Sequence, residues 1–374
     1  MPDDDGPWPL PEHERLLDAA LAPPDRAAAA WRTWRAGCGA ADFGSVDWVT
    51  TRLFAPVARH LDGRVADDDW LGRMKGICRH MWVPSRVRRR ELAPVLAALA
   101  DLPSPAILLK GEALIAGGHV PDDGSRTMGD SDVLVREEDL DRAEQILRDL
   151  GWQPVSQRGR RDAKRHAHVF RNATGRELDL HRWLLPLPAR LMTYDLMAAH
   201  AVSGTQGGVA VRVPHATELL LHVLVASRRQ VEPGPPPFLW VADAVALLHA
   251  PIEWPRLVEE ARRHEQVLAT RQGLRYLTAR FGARVPPEVQ AELDTLPVTA
   301  RERRVRYRMA ALRPLSASPR RLWLDACDDY SARCEAQGAR PTRRGLARHL
   351  VDRAARRGPR HVGRLLRGAR TPGA

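Results

Sequence analysis

The sequence Ile107-Leu-Leu-Lys-Gly-Glu-Ala-Leu114, followed by Arg126-Thr-Met-Gly-Asp-Ser-Asp-Val-Leu-Val135 and Glu177-Leu-Asp-Leu-His181, decides how this chain folds. Each piece has the pattern of a strand or a strand end. Asp130 and Asp132 are two residues apart, so on an extended backbone both carboxylates face the same way. By the same rule Glu177, Asp179 and His181 share one face, with Leu178 and Leu180 on the other. Set side by side as neighbouring strands, the two segments bring Asp130, Asp132 and Asp179 into one small volume. Mutually repelling carboxylates gathered in that way point to a divalent cation. Hard oxygen ligands suit Mg2+ or Mn2+, which take one or two carboxylates together with substrate phosphates.

Outward from this core, Ala106 to Leu109 reads as a short buried strand and Gly111 as the turn after it, with a helix starting over 112–117. The free N–H groups of a helix that follows a Gly turn favour anions, and Lys110 adds a point charge suited to phosphate. Two roles are open for Arg126: a triphosphate clamp, or an ion-pair partner that holds Asp130 or Asp132 in place. Residues 137–150 read as a helix with Leu140, Ala143, Ile146, Leu147 and Leu150 on its buried stripe, stopped by Gly151. Residues 156–166 carry Arg158, Arg160, Arg161, Lys164 and Arg165, either a solvated loop or a triphosphate or acceptor contact. His166 to Phe170 and Arg176 to Leu180 flank Asn172-Ala-Thr-Gly175 as a hairpin. A zinc set from His166, His168 and His181 lacks a fourth ligand at a recognisable spacing.

Lys-Gly after an apolar strand, Arg-x-Met-Gly-Asp-x-Asp-x-Leu-Val, and Leu-Asp-Leu-His-x-x-Leu together resemble the uncharacterised nucleotidyltransferase family of the polymerase-beta-like superfamily. The resemblance is specific over 107–183, looser over 215–285 and faint before 100 and after 300. The superfamily's Gly-Ser or Gly-Gly turn is Lys110-Gly111 here. The resemblance implies a catalytic and metal-binding trio of Asp130, Asp132 and Asp179, with Lys110, Gly111 and Arg126 at the nucleotide phosphates. It implies Mg2+ or Mn2+ as cofactor and an NTP as co-substrate, with NMP passing to an acceptor that is a small molecule, a peptide, a protein or a tRNA. Two rivals stand beside that expectation. One is phosphoryl transfer by the same metal site; the other is a non-catalytic protein that binds nucleotide or RNA.

The fold class expected is α+β: a small mixed-sheet nucleotidyltransferase core flanked by an N-terminal helical region and a C-terminal helical subdomain. The expected boundaries are 1–103, 104–193, 194–337 and an Arg-rich tail over 338–374. Helical stripes recur at Leu16, Leu17, Ala20 and Leu21, then at Val49, Leu53, Val57 and Leu61, with Pro23-Pro24 as a break. Arg86, Arg88, Arg89 and Arg90 read as a solvated helix face or a phosphate contact. From Tyr194 the character turns helical, and His222, Trp240 and Asp243 read either as core residues or as the border of a base or acceptor pocket.

The composition is that of a folded globular chain: 374 residues, 44% hydrophobic and 28% charged. From Arg340 onward there are eleven Arg against one acid, Asp352, so most of the net +12 is one tail. That tail suits RNA phosphates, another acidic partner or membrane surface, or an acidic face of its own protein. It lacks the interleaved aromatics of a base-stacking platform. Four cysteines without Cys-x-x-Cys spacing, an acidic start at Met-Pro-Asp-Asp-Asp, and no apolar run near the roughly 20 residues of a membrane span lead to a cytoplasmic expectation.

Overall fold

The computed structural model describes residues 8–38, 43–65, 69–121, 124, 126–155, 166–185, 192–226, 238–304, short pieces between 323 and 334, and 339–357. The basic segment 156–165, the proline-rich segment 227–237 and the end of the Arg-rich tail lie outside the described residues.

Helices α1 (Pro11–Leu21) and α2 (Pro24–Gly37) each begin at a proline, which removes one of the N–H groups that a helix start leaves without a partner and suits the break between the two helices. Trp31 and Trp34 stack at 5.4 Å, and Trp34 meets Phe54 and Trp70 edge-on at 5.8 Å each. Then come α3 (Trp48–Thr51), capped by Asp47, and α4 (Phe54–Leu61). The 31-residue α5 (Asp69–Leu99) carries Pro84 and Pro94 within it. Arg88 and Arg89 are not a solvated face. Both are buried on α5, ion-paired to Glu112, because one buried carboxylate answers two guanidinium groups.

The sheet has seven strands in the order β3-β4-β5-β2-β1-β7-β6. β1 (Ile107–Leu108) leads into α6 (Lys110–Ala116), and β2 (Asp130–Leu134) into α7 (Leu140–Asp149). β3 (Gln153–Pro154), β4 (Ala167–Arg171) and β5 (Glu177–His181) follow. Next are α8 (Tyr194–Ala198), β6 (Val202–Gln206) and β7 (Val209–Val213). The β4–β5 hairpin turns at Gly175, whose φ of 81° needs glycine, while Asn172 Oδ1 accepts from the N–H groups of Thr174 and Arg176.

After Tyr194 the chain is not wholly helical. Residues 202–213 form a second hairpin, and β7 runs parallel to β1 with Ile107 beside Arg212. Its signal is legible: alternating Val209, Val211 and Val213 behind Gly207-Gly208, whose φ values of 57° and 84° make the tight turn. Helices α9 (Ala216–Ala226), α10 (Leu239–Leu247), α11 (Trp254–Arg263), α12 (Val267–Phe281) and α13 (Pro287–Thr295) complete the body. α9 is buried all round, as a helix apolar on every face must be.

One hydrophobic core runs from Leu16 to Leu293. The N-terminal helices also reach the C-terminal ones. Tyr276 OH donates to Glu14 at 2.7 Å, Arg280 pairs with Asp18 at 2.6 Å, and Trp8 stacks on Tyr276 at 4.6 Å. A last helix, Arg343–Arg357, carries Arg343, Arg344 and Arg348 and sets Leu350 near the buried Ala326. No described helix is long and apolar enough to cross a membrane.

Candidate functional site

β2 and β5 are parallel neighbours in a register that puts Asp130 beside Glu177, Asp132 beside Asp179 and Leu134 beside His181. Paired residues of adjacent strands point to the same face. The acids therefore share one face of the sheet, while Ser131, Val133, Leu178 and Leu180 share the other and are buried. On that other face Ser131 Oγ donates to Glu112 of α6 at 3.3 Å, and His168 Nδ1 meets Glu144 of α7 at 2.5 Å. Glu112 also accepts from Gln206 of β6, which ties α5, α6, β2 and β6 together beneath the acids.

Asp132, Asp179 and His181 each offer one ligand atom, all within 4.8 Å of one another. Asp130 stands one step along β2, outside that group. Burial raises its pKa, and Asp132 adds to the rise. Burial pushes Asp179 up to about 6, helped by the negative charges of Asp132 and Asp130. Its carboxylate accepts no hydrogen bond among the described residues. Asp132 goes the opposite way. Burial alone would raise it, but the Lys110 ammonium at 2.5 Å and His181 Nε2 at 2.8 Å hold it below the usual carboxylate range.

Lys110, not Gly111, takes the left-handed turn after β1, with φ 49°. That conformation is costly for a residue with a Cβ, and here it delivers the amine to Asp132. Burial works against the charged amine, but Asp132, with Asp130 and Asp179 beyond it, more than offsets this and raises the Lys110 pKa. Gly111 is needed for another reason. A Cβ there would lie 2.3 Å from Met128 Sδ and 2.9 Å from its Cγ, so glycine is what lets the loop before β2 cross α6 closely.

That loop is fastened by three arginines. Arg126 forms a two-pronged pair with Asp243 of α10 at 2.7 and 2.9 Å and donates to the Thr127 carbonyl at 2.7 Å. Burial opposes the charge, but Asp243 raises the Arg126 pKa overall. Of the two roles open in the sequence, the ion pair is thus the one seen, with Asp243 as partner in place of Asp130 or Asp132. Arg88 Nη1 donates to the Met128 carbonyl at 2.8 Å, and Arg52 Nη2 to the Thr127 carbonyl at 3.3 Å.

His181 is fully buried, its Nδ1 facing the Trp183 carbonyl at 3.3 Å. His168 pairs with Leu180 and so faces away from His181, which leaves the zinc set unassembled. His222 of α9 is buried near the acids. Burial, with Lys110 and His181 beside it, pulls its pKa down to about 3, so it is neutral, and its Nε2 has no partner among the described residues. Sequence alone singled out neither Arg52 nor Glu112. Arg52 is a lone cation beside apolar Leu53 and Phe54, and Glu112 resembles any first-turn helix acid. His181 carried a signal, since it lies on the Asp179 side of the alternation.

The family described as uncharacterised nucleotidyltransferase matches residues 47–282, more than half of the chain, and begins about sixty residues before Ile107. Among solved structures, the chain is similar to an antigenic nucleotidyltransferase-like protein from Paracoccidioides brasiliensis. Identity is 18% with a TM-score of 0.36, over 57% of this chain and 94% of that one. Comparison with curated proteins gives no match.

Proposed function

The chain belongs to the uncharacterised nucleotidyltransferase family, and from that membership and the Asp132–Asp179 pairing we propose a divalent-metal-dependent enzyme that moves NMP from an NTP to an acceptor hydroxyl or similar nucleophile. The observation that carries this is the parallel register that sets Asp179 beside Asp132, with Asp130 acting on both through its charge. The donor set fits Mg2+ or Mn2+. Two carboxylates stand side by side, one accepting no hydrogen bond among the described residues. His181 turns Nδ1 to a carbonyl and Nε2 to the acids, as ligating histidines do. The Lys110 ammonium already sits on Asp132 where a cation is favoured.

Asp132, Asp179 and His181, whose ligand atoms converge, would hold the metal, with Asp130 as a further carboxylate beside them on β2. When bound, the metal supplies charge stabilisation on the triphosphate and activation of the acceptor oxygen. Asp179 is placed either to hold the metal on the acceptor side or to take the proton of that hydroxyl as general base. The new bond joins the acceptor oxygen to the α-phosphorus, the α–β bridge breaks, and pyrophosphate leaves. Lys110, beside Asp132 at the start of α6, would add positive charge for the phosphates. Four free cysteines accord with a cytoplasmic protein, and the Arg-rich tail with an acidic partner or RNA.

The test supplies each α-labelled NTP with Mg2+ and an extract as the source of acceptors. Label from the α position should pass to an acceptor and be lost in Asp179→Asn. Transfer from γ-labelled NTP alone would make the protein a phosphotransferase. No transfer of either label by wild type, with NTP binding that survives Asp179→Asn, would make it a non-catalytic binder.

A further inference from the structure

Resting on the nucleotidyl-transfer reading, we propose that Arg52, from the N-terminal helical region, is the residue that grips the terminal phosphates of the NTP. The sequence offered Arg126 for that task, but both prongs of Arg126 are already committed to Asp243. A guanidinium locked in a buried two-pronged pair has little left to offer a ligand.

Arg52 is the reverse case. Its backbone is fixed. It follows α3, whose cap Asp47 accepts from the N–H groups of Val49 and Thr50 at 3.0 Å each, while Thr50 also meets His13 at 2.9 Å. Leu53 and Phe54, which come next, are fully buried and anchor the other side. The guanidinium reaches the loop before Asp130, where its one hydrogen bond among the described residues is the 3.3 Å contact to the Thr127 carbonyl. No described carboxylate lies within ion-pair distance of it. A guanidinium has five N–H donors in a fixed fork, so most of this fork is uncommitted.

Its surroundings make that costly. Burial, and then repulsion from Arg126, pull the Arg52 pKa down to about 10, with Asp130 and Asp243 only partly compensating. A half-buried cation short of negative charge, beside the proposed metal carboxylates, suits a ligand that brings the charge itself. The triphosphate does so. Arg52, reaching the loop just before Asp130, and Lys110, on Asp132, would both meet it.

The test is isothermal titration of the full-length protein with Mg2+ and, in separate runs, inorganic tripolyphosphate, NTP and NMP. Wild type is compared with Arg52→Gln and Arg52→Lys, and melting curves check folding. Arg52→Gln should weaken tripolyphosphate and NTP roughly 10- to 100-fold, the worth of one or two charge-assisted hydrogen bonds, and leave NMP unchanged. Arg52→Lys, which keeps the charge and loses the fork, should fall between; it carries the test if Arg52→Gln does not fold. Unchanged tripolyphosphate binding in a folded variant overturns the proposal and leaves nucleotidyl transfer standing. So does equal weakening of NMP and NTP, or altered Mg2+ binding alone, since Arg52 would then only balance Asp130. A wild type that binds neither NTP nor tripolyphosphate with Mg2+ removes the nucleotidyl-transfer reading and the Arg52 role with it.

Discussion

Replacing Asp179 by Asn should stabilise the metal-free protein, the opposite of what loss of a buried polar group usually does. A carboxyl moved from 3.8 to about 6 penalises its charged form by ~3 kcal/mol, at ~1.4 kcal/mol per pH unit. Part of Asp179 faces water, so screening reduces the expected gain to about 1–2 kcal/mol. The pH dependence fixes the sign. The folded state holds this proton more tightly than the unfolded chain, so the penalty is absent below about pH 4. It grows as the pH rises to about 6 and is complete above that. Urea unfolding of wild type and Asp179→Asn in chelator should therefore differ little at about pH 4 and most at about pH 8, with the variant the more stable. Added Mg2+ should then stabilise wild type by mass action and the variant far less. A variant less stable than wild type at about pH 8 in chelator, with no trend in pH, would falsify the crowded-carboxylate account.

Other perturbations test the supports of the site. Gly111→Ala forces its Cβ against Met128, which should cost about 1–3 kcal/mol in denaturant unfolding; adding Met128→Ala should recover much of that loss. Arg126→Ala strands the Asp243 carboxylate and should cost ~3–5 kcal/mol, against a smaller cost when Asp243→Asn is already present. Glu112→Gln leaves Arg88 and Arg89 without their shared counter-charge and should lower stability by a similar ~3–5 kcal/mol. Its activity loss should parallel the unfolded fraction, since Glu112 faces away from the acids.

The acid face was readable because strand periodicity is strict. Two residues of spacing put Asp130 with Asp132 and Asp179 with His181, and an apolar Leu178–Leu180 face demanded burial on the other side. The helical flanks were readable by the same logic at period 3.6. Pairings across long separations were not. Nothing in the local sequence couples Arg126 to Asp243 or Arg52 to Thr127, because those contacts arise only when α3 and α10 pack beside the same loop. Glycine carried a double meaning at 111. A Lys-Gly pair suggests that the glycine turns the chain, whereas the lysine takes the left-handed turn and the glycine leaves room for Met128. The 202–213 hairpin went unread because its strands follow a short helix and precede a long apolar one, so a helical trend masked an alternation of three valines.

The clasp between α1 and α12 sets the smallest piece of this protein that can be handled alone. A fragment trimmed to the family's own span, 47–282, keeps Tyr276 and Arg280 but discards Glu14 and Asp18. It also uncovers the apolar surface on which Leu16, Leu17 and Trp31 rest. Such a fragment would present a sticky, positively charged flank and would be prone to self-association. Helices outside the family's boundary thus serve as a built-in cover, and activity measurements belong on the intact chain.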